Sequence, residues 1–406
     1  MTALLTFFLL LFAGLPIFGV ILAGAIVFLQ TNDLAVLYDS IPIQFFGSLE
    51  INGLLAIPLF LLVGEIMNKA GLTSRLVAVA EVLVGRMTGG LAYANLVTNA
   101  MAASILGSAV AQIGVMSKVM IPEMERKGYD RAFSGAVTVS AGLLGPIIPP
   151  SMLMIIYGVV AVQPIAPLFI AGVLPGVLII GALGIVILLT SLLGKGLPSG
   201  VGHDLGPRSR ILFEGLTPTE SGAVASIIAL VLGFAYRELR LADLGPILLT
   251  VALGTATITG LIAAASVLSW ALAFQGVPDE LVALMSGLTD SPFVFLLLVI
   301  FALMVLGMFL ESISVLIVVV PLLMPVVTSL GIDPIHFGVV CTVATVMGLV
   351  TPPVGPGLYI AMVAADIRMG PLFRATVPFL AAVLLCIVLI AAVPALSTWL
   401  PGLTLG

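Results

Sequence analysis

Charged side chains are scarce in this sequence. Only 8% of its 406 residues are charged, where a soluble domain carries about 25%, and 61% are hydrophobic. Charge-free runs cover 3–29, 89–117, 132–192 and 244–278. Because a helix of about 20 apolar residues crosses a bilayer, runs of this length exclude an ordinary soluble domain and predict a polytopic membrane protein.

Cysteine and histidine are almost absent. The two cysteines, Cys341 and Cys386, lie in apolar segments, so neither a disulfide framework nor a thiolate metal site is indicated. His203 and His336 are too far apart in the sequence for a metal-ligand spacing. No nucleophile with a base and no G-x-x-x-x-G-K-[ST] phosphate loop occurs, so we expect neither an enzyme nor ATP hydrolysis. The net charge of −5 argues against a nucleic-acid partner.

The apolar runs and the polar segments between them predict a layout of membrane helices. The N-terminal run is too long for a secretory signal and lacks a basic start, so we interpret 3–29 as a retained spanning helix. A second span is predicted over 51–67. Segment 72–87 carries three charges on an apolar background, which suits a helix in the membrane interface. The polar segment 193–215 separates two halves of similar layout.

Two adjacent prolines interrupt an apolar stretch in each half, in GLLGPIIPPS (142–151) and in MGLVTPPVGP (347–356). Each pair removes two backbone donors and leaves upstream carbonyls without helical partners. In hydrocarbon such a break persists only where it faces protein, water or an ion. Freed carbonyls suit a cation such as Na⁺, and the helix N-terminus after a break favours an anion. The alternative is a packing kink satisfied by neighbouring helices. We predict non-helical backbone over 145–150 and 348–353.

The two halves also align with each other. Residues 122–150 and 325–353, offset by 203, share nine of 29 positions without a gap, where common composition gives roughly three. Six of the matches are glycine or proline, at Pro122, Gly128, Gly135, Gly145, Pro149 and Pro150. Chance similarity of apolar segments is the alternative explanation. A duplicated fold accounts better for breaks at corresponding places, which in transporters mark a binding site at the membrane midplane.

An apolar run with a polar centre precedes each break. Either run could form one long kinked helix or a re-entrant hairpin that turns back at mid-membrane. Arg86 and Lys118 flank the first run, which places both of its ends on one side of the membrane and favours a hairpin. The second run carries Glu311 at its centre, where a carboxylate costs about 2.5–3.5 kcal/mol and is presumed functional. The alternative for Glu311 is a protonated or hydrogen-bonded structural residue.

Together these features predict an all-α polytopic membrane protein with two structural repeats, expected to be inverted. Each repeat contains a re-entrant hairpin and a broken transmembrane helix. The first repeat is predicted over 1–192, with its hairpin at about 89–120 and its broken helix at about 131–160. An inter-repeat linker is predicted over 193–216. The second repeat is predicted over 217–406, with its hairpin at about 292–330 and its broken helix at about 335–365.

The chain resembles the large membrane subunit of the tripartite ATP-independent periplasmic (TRAP) transporters, within the ion-transporter superfamily. The similarity runs in order from about residue 3 to 401 and rests on GSAVAQIGVMSKVMIPEMERKGYDRAFSGAV (107–137), GPIIPPS (145–151), GLTPTESGAVA (215–225), LGMFLES (306–312), LGIDPIHFGVV (330–340) and GLVTPPVGPGLYIA (348–361). The resemblance implies an elevator-type transporter of the bacterial inner membrane that imports an organic acid with Na⁺ and has no other cofactor. It also implies two protein partners, a periplasmic substrate-binding protein and a small four-helix membrane subunit.

The resemblance places one sodium site between each hairpin tip and its break. The first site is expected to involve Ser104, Gly107, Ser108, Gly145 and Pro149. The second is expected to involve Gly307, Glu311, Ser312, Gly348 and Thr351. The organic acid is expected between the tips, near Ser108, Ser151 and Gly355. Three amide side chains of the first hairpin are expected to form helix-to-helix hydrogen bonds rather than to bind ligand, namely Asn95, Asn99 and Gln112.

One region departs from the family pattern. Members usually carry an extra apolar helix before the TPTE motif, but residues 197–220 contain no 18-residue apolar run. An inverted repeat needs an odd number of crossings in each half, and we count four from 3 to 192. With 193–215 in the cytoplasm, Arg237 and Arg240 would lie outside, against the positive-inside rule. The chain is therefore expected to be short by one crossing or to form a poorly apolar helix there.

Other functional classes predict other features. An ion channel would show pore-lining rings of charge, which this sequence lacks. A two-component Na⁺- or H⁺-coupled dicarboxylate carrier, which needs no binding protein, is the closer alternative. The long PEMERKGYDRAF match favours the tripartite family. The substrate stays open among sialic acids, C4-dicarboxylates, keto acids and sugar acids.

Overall fold

A computed structural model describes residues 2–50, 52–69, 88–193, 240–352 and 354–405, with single residues at 76, 80, 83, 84 and 198. Every described element is helical, as expected. The first half contains α1 (Thr2–Phe12), α2 (Ile17–Thr31), α3 (Ile41–Gly47), α4 (Ala56–Lys69), α5 (Gly90–Leu106), α6 (Ala109–Arg126), α7 (Arg131–Gly142), α8 (Met152–Val160) and α9 (Ile165–Leu192). Short 3₁₀ turns at Ala35–Ser40 and Asn52–Leu55 flank α3.

The second half contains α10 (Leu241–Phe274), α11 (Val277–Leu288), α12 (Pro292–Gly307), α13 (Ser312–Ser329), α14 (Pro334–Gly348), α15 (Pro356–Ala365), α16 (Met369–Ala392) and α17 (Ala395–Leu405). Within the described residues, α9, α10, α13 and α16 are long and apolar enough to cross a membrane. The chain is therefore a multi-pass helical membrane protein. Most of the predicted interfacial segment 72–87 and of the linker 193–216 lies outside the described residues, as does Pro353.

The first apolar run forms a helical hairpin. Helix α5 ends at Leu106 and is followed by the C-cap Gly107, whose φ of +58° is left-handed; Ser108 is then the N-cap of α6. Across the turn, Nε2 of Gln112 donates to the backbone oxygen of Asn99 at 2.7 Å. In one straight helix these residues would lie roughly 20 Å apart. The hairpin prediction is confirmed, and the kinked-helix alternative is excluded.

The predicted single span over 3–29 is wrong. Helix α1 ends at Phe12 and α2 begins at Ile17, and the chain folds back between them. A Cβ placed on Gly24 would lie 4.0 Å from Cδ2 of Phe7, whereas one straight helix would separate them by roughly 25 Å. The turn contains Gly14, with φ of +79°, and Pro16, which has no N–H to continue the helix. The count of four crossings therefore does not hold.

The order of helices in the second half repeats that of the first. Helices α5 to α9 begin at residues 90, 109, 131, 152 and 165, and α12 to α16 begin at 292, 312, 334, 356 and 369. Each equivalent start thus lies about 203 residues later, the offset found in the sequence. Local details repeat as well. Asp130 and Asp333 cap the first broken segments with their side chains, and Val162 and Asp366 follow the second segments with positive φ.

The two broken helices run in opposite directions. The guanidinium of Arg131, at the start of α7, donates to the backbone oxygen of Ala365, at the end of α15, with Nη2 at 2.6 Å. At the other end, the hydroxyl of Tyr157 in α8 donates to the backbone oxygen of Pro334, where α14 begins, at 2.5 Å. The start of each broken helix therefore lies beside the end of the other, which is the relation that inverted repeats require.

The hydrophobic core has two main parts. The larger part joins α5 to α9 with α12 to α16, so both hairpins and both broken helices belong to it. The smaller part joins α2, α4 and α10 to one face of α8 and α13, through Ile57, Ile156 and Ile262 among others. Helices α2, α4 and α10 therefore form a separate layer against the body that contains the breaks.

Candidate functional site

The first hairpin tip packs against the first break. A Cβ on Gly107 would lie 3.4 Å from both the backbone oxygen of Pro150 and the backbone nitrogen of Met152. A Cβ on Gly145 would lie 3.3 Å from the backbone oxygen of Ser108. Backbone thus meets backbone on both sides of this contact, which leaves little room for a side chain at either glycine.

The first break is non-helical from Leu143 to Pro150, as predicted. Pro149 and Pro150 cannot donate to the backbone oxygens four residues earlier. One of these, the oxygen of Pro146, instead accepts a hydrogen bond from the hydroxyl of Ser151. The same hydroxyl accepts from the backbone nitrogen of Met154 at 3.1 Å and so caps α8. Ser151 is fully buried, and its hydroxyl is used as a donor in one of these hydrogen bonds and as an acceptor in the other.

The second tip packs against the second break more tightly still. A Cβ on Gly348 would lie 2.6 Å from Cα of Gly307, and a Cβ on Gly307 would lie 2.7 Å from the backbone oxygen of Thr345. Helix α14 ends at Gly348, and α15 begins only at Pro356. The residues described between these helices are non-helical, as predicted, but Gly348, which the predicted break includes, is the last residue of α14. The hydroxyl of Thr351 donates to the backbone oxygen of Met347 at 2.8 Å.

Both tips and both breaks meet at one central cavity of about 30 Å³, enough for water-sized particles. Gly107 and Ser108 line it from the first tip, and Glu311 and Ser312 line it from the second. The breaks contribute Pro146 and Leu349, and the remaining lining is Ala109, Val110, Met152, Leu153 and Ile313. The cavity is therefore lined by both halves of the chain.

Three helix N-termini converge on the central cavity, because its lining includes the first turns of α6, α8 and α13. The free N–H groups and the helix dipole give each of these ends a partial positive charge. Glu311 lies just before α13 and makes no side-chain cap hydrogen bond. The buried hydroxyls of Ser312 and Ser314 have no hydrogen-bond partner. The cavity lining thus offers positive helix ends for an anion, and Glu311 with the free hydroxyl of Ser312 for a cation.

A second, larger cavity of about 230 Å³ adjoins the first. It lies between α4 and the first hairpin and is lined by Gly64 and Glu65 from α4. Gly107, Ser108 and Met152 line both cavities, so the first tip separates them. Gly107 and Ser108 are therefore the predicted site residues in contact with both spaces.

The structure brings together some of the predicted site residues and separates others. Gly107, Ser108, Glu311 and Ser312 line the central cavity. Gly145, Gly307 and Gly348 lie in the tip-to-break contacts rather than in that lining. Pro149 and Thr351 lie in the breaks and are not part of the lining either. Ser104 is exposed on the last turn of α5 and lines neither of these two cavities. Ser151 and Gly355, two of the three predicted substrate residues, also line neither cavity. Gly355 precedes α15 with φ of +52°.

Some residues near the site were not predicted. Glu65 is the clearest case, and its signal was available, since a single carboxylate in an apolar helix is presumed functional. Pro146, Met152 and Leu349 carry no such signal, because only the folded breaks bring them to the cavity.

A chain of buried amides joins the first hairpin to the first broken helix. Gln112 donates to Asn99, Asn99 donates to Oδ1 of Asn95 at 2.7 Å, and Asn95 donates to the hydroxyl of Thr138 at 2.7 Å. All four residues are fully buried. The prediction that the three amides form helix-to-helix hydrogen bonds is confirmed. Both arms of the hairpin and α7 are therefore held as one unit.

Comparison with known proteins agrees with this architecture. The family described as "Tripartite ATP-independent periplasmic transporter, DctM component" matches residues 4–208 and 206–396. The chain belongs to this family. The sialic acid TRAP transporter large permease protein SiaM of Vibrio cholerae is 34% identical, over 98% of this chain and 97% of its own length. The C4-dicarboxylate TRAP transporter large permease protein DctM of Pseudomonas aeruginosa is also 34% identical, over 94% and 93%.

The fold of this TRAP permease also resembles a solved structure. The YdaH transporter of Alcanivorax borkumensis, whose structure is described as having an unusual topology, superimposes with a TM-score of 0.65. It covers 89% of this chain and 88% of its own length, at 14% identity. At this identity the similarity extends to the fold alone.

Proposed function

We propose that this TRAP permease imports an organic acid together with Na⁺ across the bacterial inner membrane. The observation that carries the proposal is the central cavity, where both hairpin tips meet and three helix N-termini converge. The N-termini suit the carboxylate of an organic acid. Glu311 and the unpartnered hydroxyl of Ser312 line this cavity and suit a hard cation, which prefers oxygen ligands. Ser314, two residues further along α13, has a second unpartnered hydroxyl. Sialic acid and C4-dicarboxylates, named for two relatives, are the first substrates to test.

Charge distribution supports an orientation in the membrane. Arg131 and Ala365 meet at one end of the broken helices, and Arg368 and Arg374 follow that end in sequence. Tyr157 and Pro334 meet at the other end, which Asp333 caps. By the positive-inside rule the basic end faces the cytoplasm. The opposite end then faces the periplasm, where a binding protein delivers the substrate.

The two-part core supports an elevator mechanism. In this proposal α2, α4 and α10, joined by a small partner subunit, form the fixed layer. The body that contains both hairpins and both breaks carries the site across the membrane. The smaller core between them consists of aliphatic side chains such as Ile57, Ile156 and Ile262, and such contacts have no fixed hydrogen-bond register to break when the surfaces slide.

The test is uptake by proteoliposomes that contain this permease and its small partner subunit. Labelled sialic acid or a labelled C4-dicarboxylate is supplied on its binding protein, with an inward Na⁺ gradient and no ATP. The proposal predicts accumulation that stops when choline replaces Na⁺ at unchanged pH and membrane potential. Undiminished uptake in choline would refute Na⁺ coupling.

A second candidate is an H⁺-coupled or two-component carrier that needs no binding protein. The observation in its favour is Glu311, a carboxylate at the cavity that is able to carry a proton. Uptake from free substrate, at the same rate with and without the binding protein, would support the two-component candidate. Uptake driven by a pH gradient in the absence of Na⁺ would support proton coupling.

A further inference from the structure

Gln112 presents a buried oxygen atom without a partner to the first break. Its Oε1 atom has no hydrogen bond, although the residue is fully buried in α6. An unpaired buried polar atom costs about 1–3 kcal/mol, so a native structure normally retains one only for a reason.

The position of this oxygen indicates what it faces. A Cβ on Gly145 would lie 2.7 Å from Oε1 of Gln112 and 3.3 Å from the backbone oxygen of Ser108. Two oxygens therefore converge on the one residue of the break that has no side chain. Pro149 has no N–H to donate to the backbone oxygen of Gly145, which leaves this oxygen without its helical partner.

The side-chain amide of Gln112 cannot rotate to point this oxygen elsewhere without losing its own hydrogen bonds. Its Nε2 atom donates to the backbone oxygen of Asn99 at 2.7 Å and to Oδ1 of Asn99 at 2.9 Å. Rotation of the amide would place an oxygen against these two acceptors. Asn99 is itself fixed by donation to the backbone oxygen of Asn95 at 3.0 Å. The hydrogen-bond chain thus directs Oε1 of Gln112 at the break.

We propose that Oε1 of Gln112 is a ligand of the coupling cation between the first tip and the first break, and that the Asn95–Asn99 chain positions it. This inference rests on the Na⁺ coupling proposed above. Amide and backbone oxygens are suitable ligands for a hard cation. The equivalent position in the second repeat, Val315, has no side-chain oxygen, so the two tips differ: the first supplies a neutral amide and the second supplies Glu311.

The test measures the melting temperature of the purified permease as Na⁺ replaces choline at constant ionic strength. A cation that binds the folded state raises the melting temperature in proportion to RT ln(1 + [Na⁺]/Kd). A fit of this relation to the titration gives Kd, the Na⁺ concentration that half-fills the site, which we call the half-effect concentration. Gln112→Met keeps the length of the side chain but removes Oε1. We expect this variant to raise the half-effect concentration about tenfold or more, as the loss of one good ligand implies.

Two further variants separate a ligand from a structural residue. Thr138→Val breaks the far end of the chain and leaves Oε1 in place, so it should lower the melting temperature without Na⁺ and leave the half-effect concentration unchanged. Gly145→Ala keeps every amide but puts a methyl group against Oε1, so it should weaken the Na⁺ response as Gln112→Met does. It also covers the case in which Gln112→Met fails to fold.

Different results would contradict the assignment of Gln112 and the Na⁺ coupling on which it rests. An unchanged half-effect concentration in Gln112→Met, or in Gly145→Ala if the first variant does not fold, would overturn the assignment of Gln112. An equal shift of the half-effect concentration in Thr138→Val, which leaves Oε1 in place, would show that the loss of Na⁺ affinity does not depend on the missing oxygen, and would also overturn the assignment. A wild-type chain that does not respond to Na⁺ would instead contradict the Na⁺ coupling on which the inference rests.

Discussion

Glu311 shows how one residue combines opposite requirements. It lies at the second tip, lines the central cavity and precedes the N-terminus of α13, where the helix dipole favours negative charge. Placing this carboxylate within the membrane nevertheless costs free energy. The N-terminus of a helix typically stabilises a nearby negative charge by about 0.3–1 kcal/mol, which is less than the cost of burying it in the membrane. A bound cation would supply the remainder.

The first prediction concerns the charge of Glu311. Glu311→Gln should lower the apparent Na⁺ affinity of uptake by about tenfold or more, since it removes a full charge and keeps the size of the side chain. Glu311→Leu should lower the Na⁺ affinity equally. It should leave the melting temperature unchanged or raise it, because the cost of desolvating the carboxylate disappears. The measurement is the Na⁺ dependence of uptake beside a melting curve. Glu280→Gln, on α11 outside the cavity lining, is the control and should leave the Na⁺ affinity unchanged. An unchanged Na⁺ affinity in Glu311→Gln would show that the carboxylate is structural.

The second prediction concerns the glycine contact of the second site. Gly348→Ala should destabilise the protein by about 1–3 kcal/mol, because its methyl group would meet backbone rather than a flexible side chain. Gly370→Ala is the matched control, since a Cβ there meets nothing within 4 Å. Thermal unfolding of both variants provides the comparison. Equal stability of the two would show that the second tip is not packed against its break.

At the scale of the element, the sequence identified the breaks and hairpins because their causes are local. A proline pair removes donors wherever it lies, and a 203-residue offset can be counted along the chain. The fold-back near Gly14 was missed because its flanking residues are as apolar as a continuous span. Ser151 was predicted to contact substrate, but its hydroxyl closes the first break, a hydrogen bond that only the folded turn creates.

The third prediction concerns the contact between the two broken helices. Arg131→Gln should destabilise the protein by about 1–3 kcal/mol, because the guanidinium donates two hydrogen bonds to the C-terminal end of α15. Arg126→Gln, whose side chain is 73% exposed in its ion pair with Glu123, should change stability by less than about 1 kcal/mol. Melting temperatures in the same detergent test the difference. A larger loss in Arg126→Gln would contradict this role for Arg131.

At the scale of the whole molecule, the fold brings the two halves of the chain together at one shared cavity. Each half of the chain supplies a tip, a break and helix N-termini. The antiparallel arrangement of the broken helices brings the two sets face to face, so the lining of the cavity comes from both halves. The sequence predicted which segments take part. It did not predict that the cavity lining holds four of the twelve predicted site residues, since that depends on how tightly each tip packs on its break.

The central claim is that both tips line one site, which Na⁺ and the carboxylate of an organic acid occupy together. Its most direct test is alkylation of a single cysteine in a chain whose buried Cys341 and Cys386 have been replaced by alanine. With Ser108→Cys and, separately, Ser312→Cys, the account predicts that Na⁺ with sialic acid or a C4-dicarboxylate slows alkylation at both positions. Choline with the same acid should not. Protection at one tip alone, or at neither, would contradict a shared site.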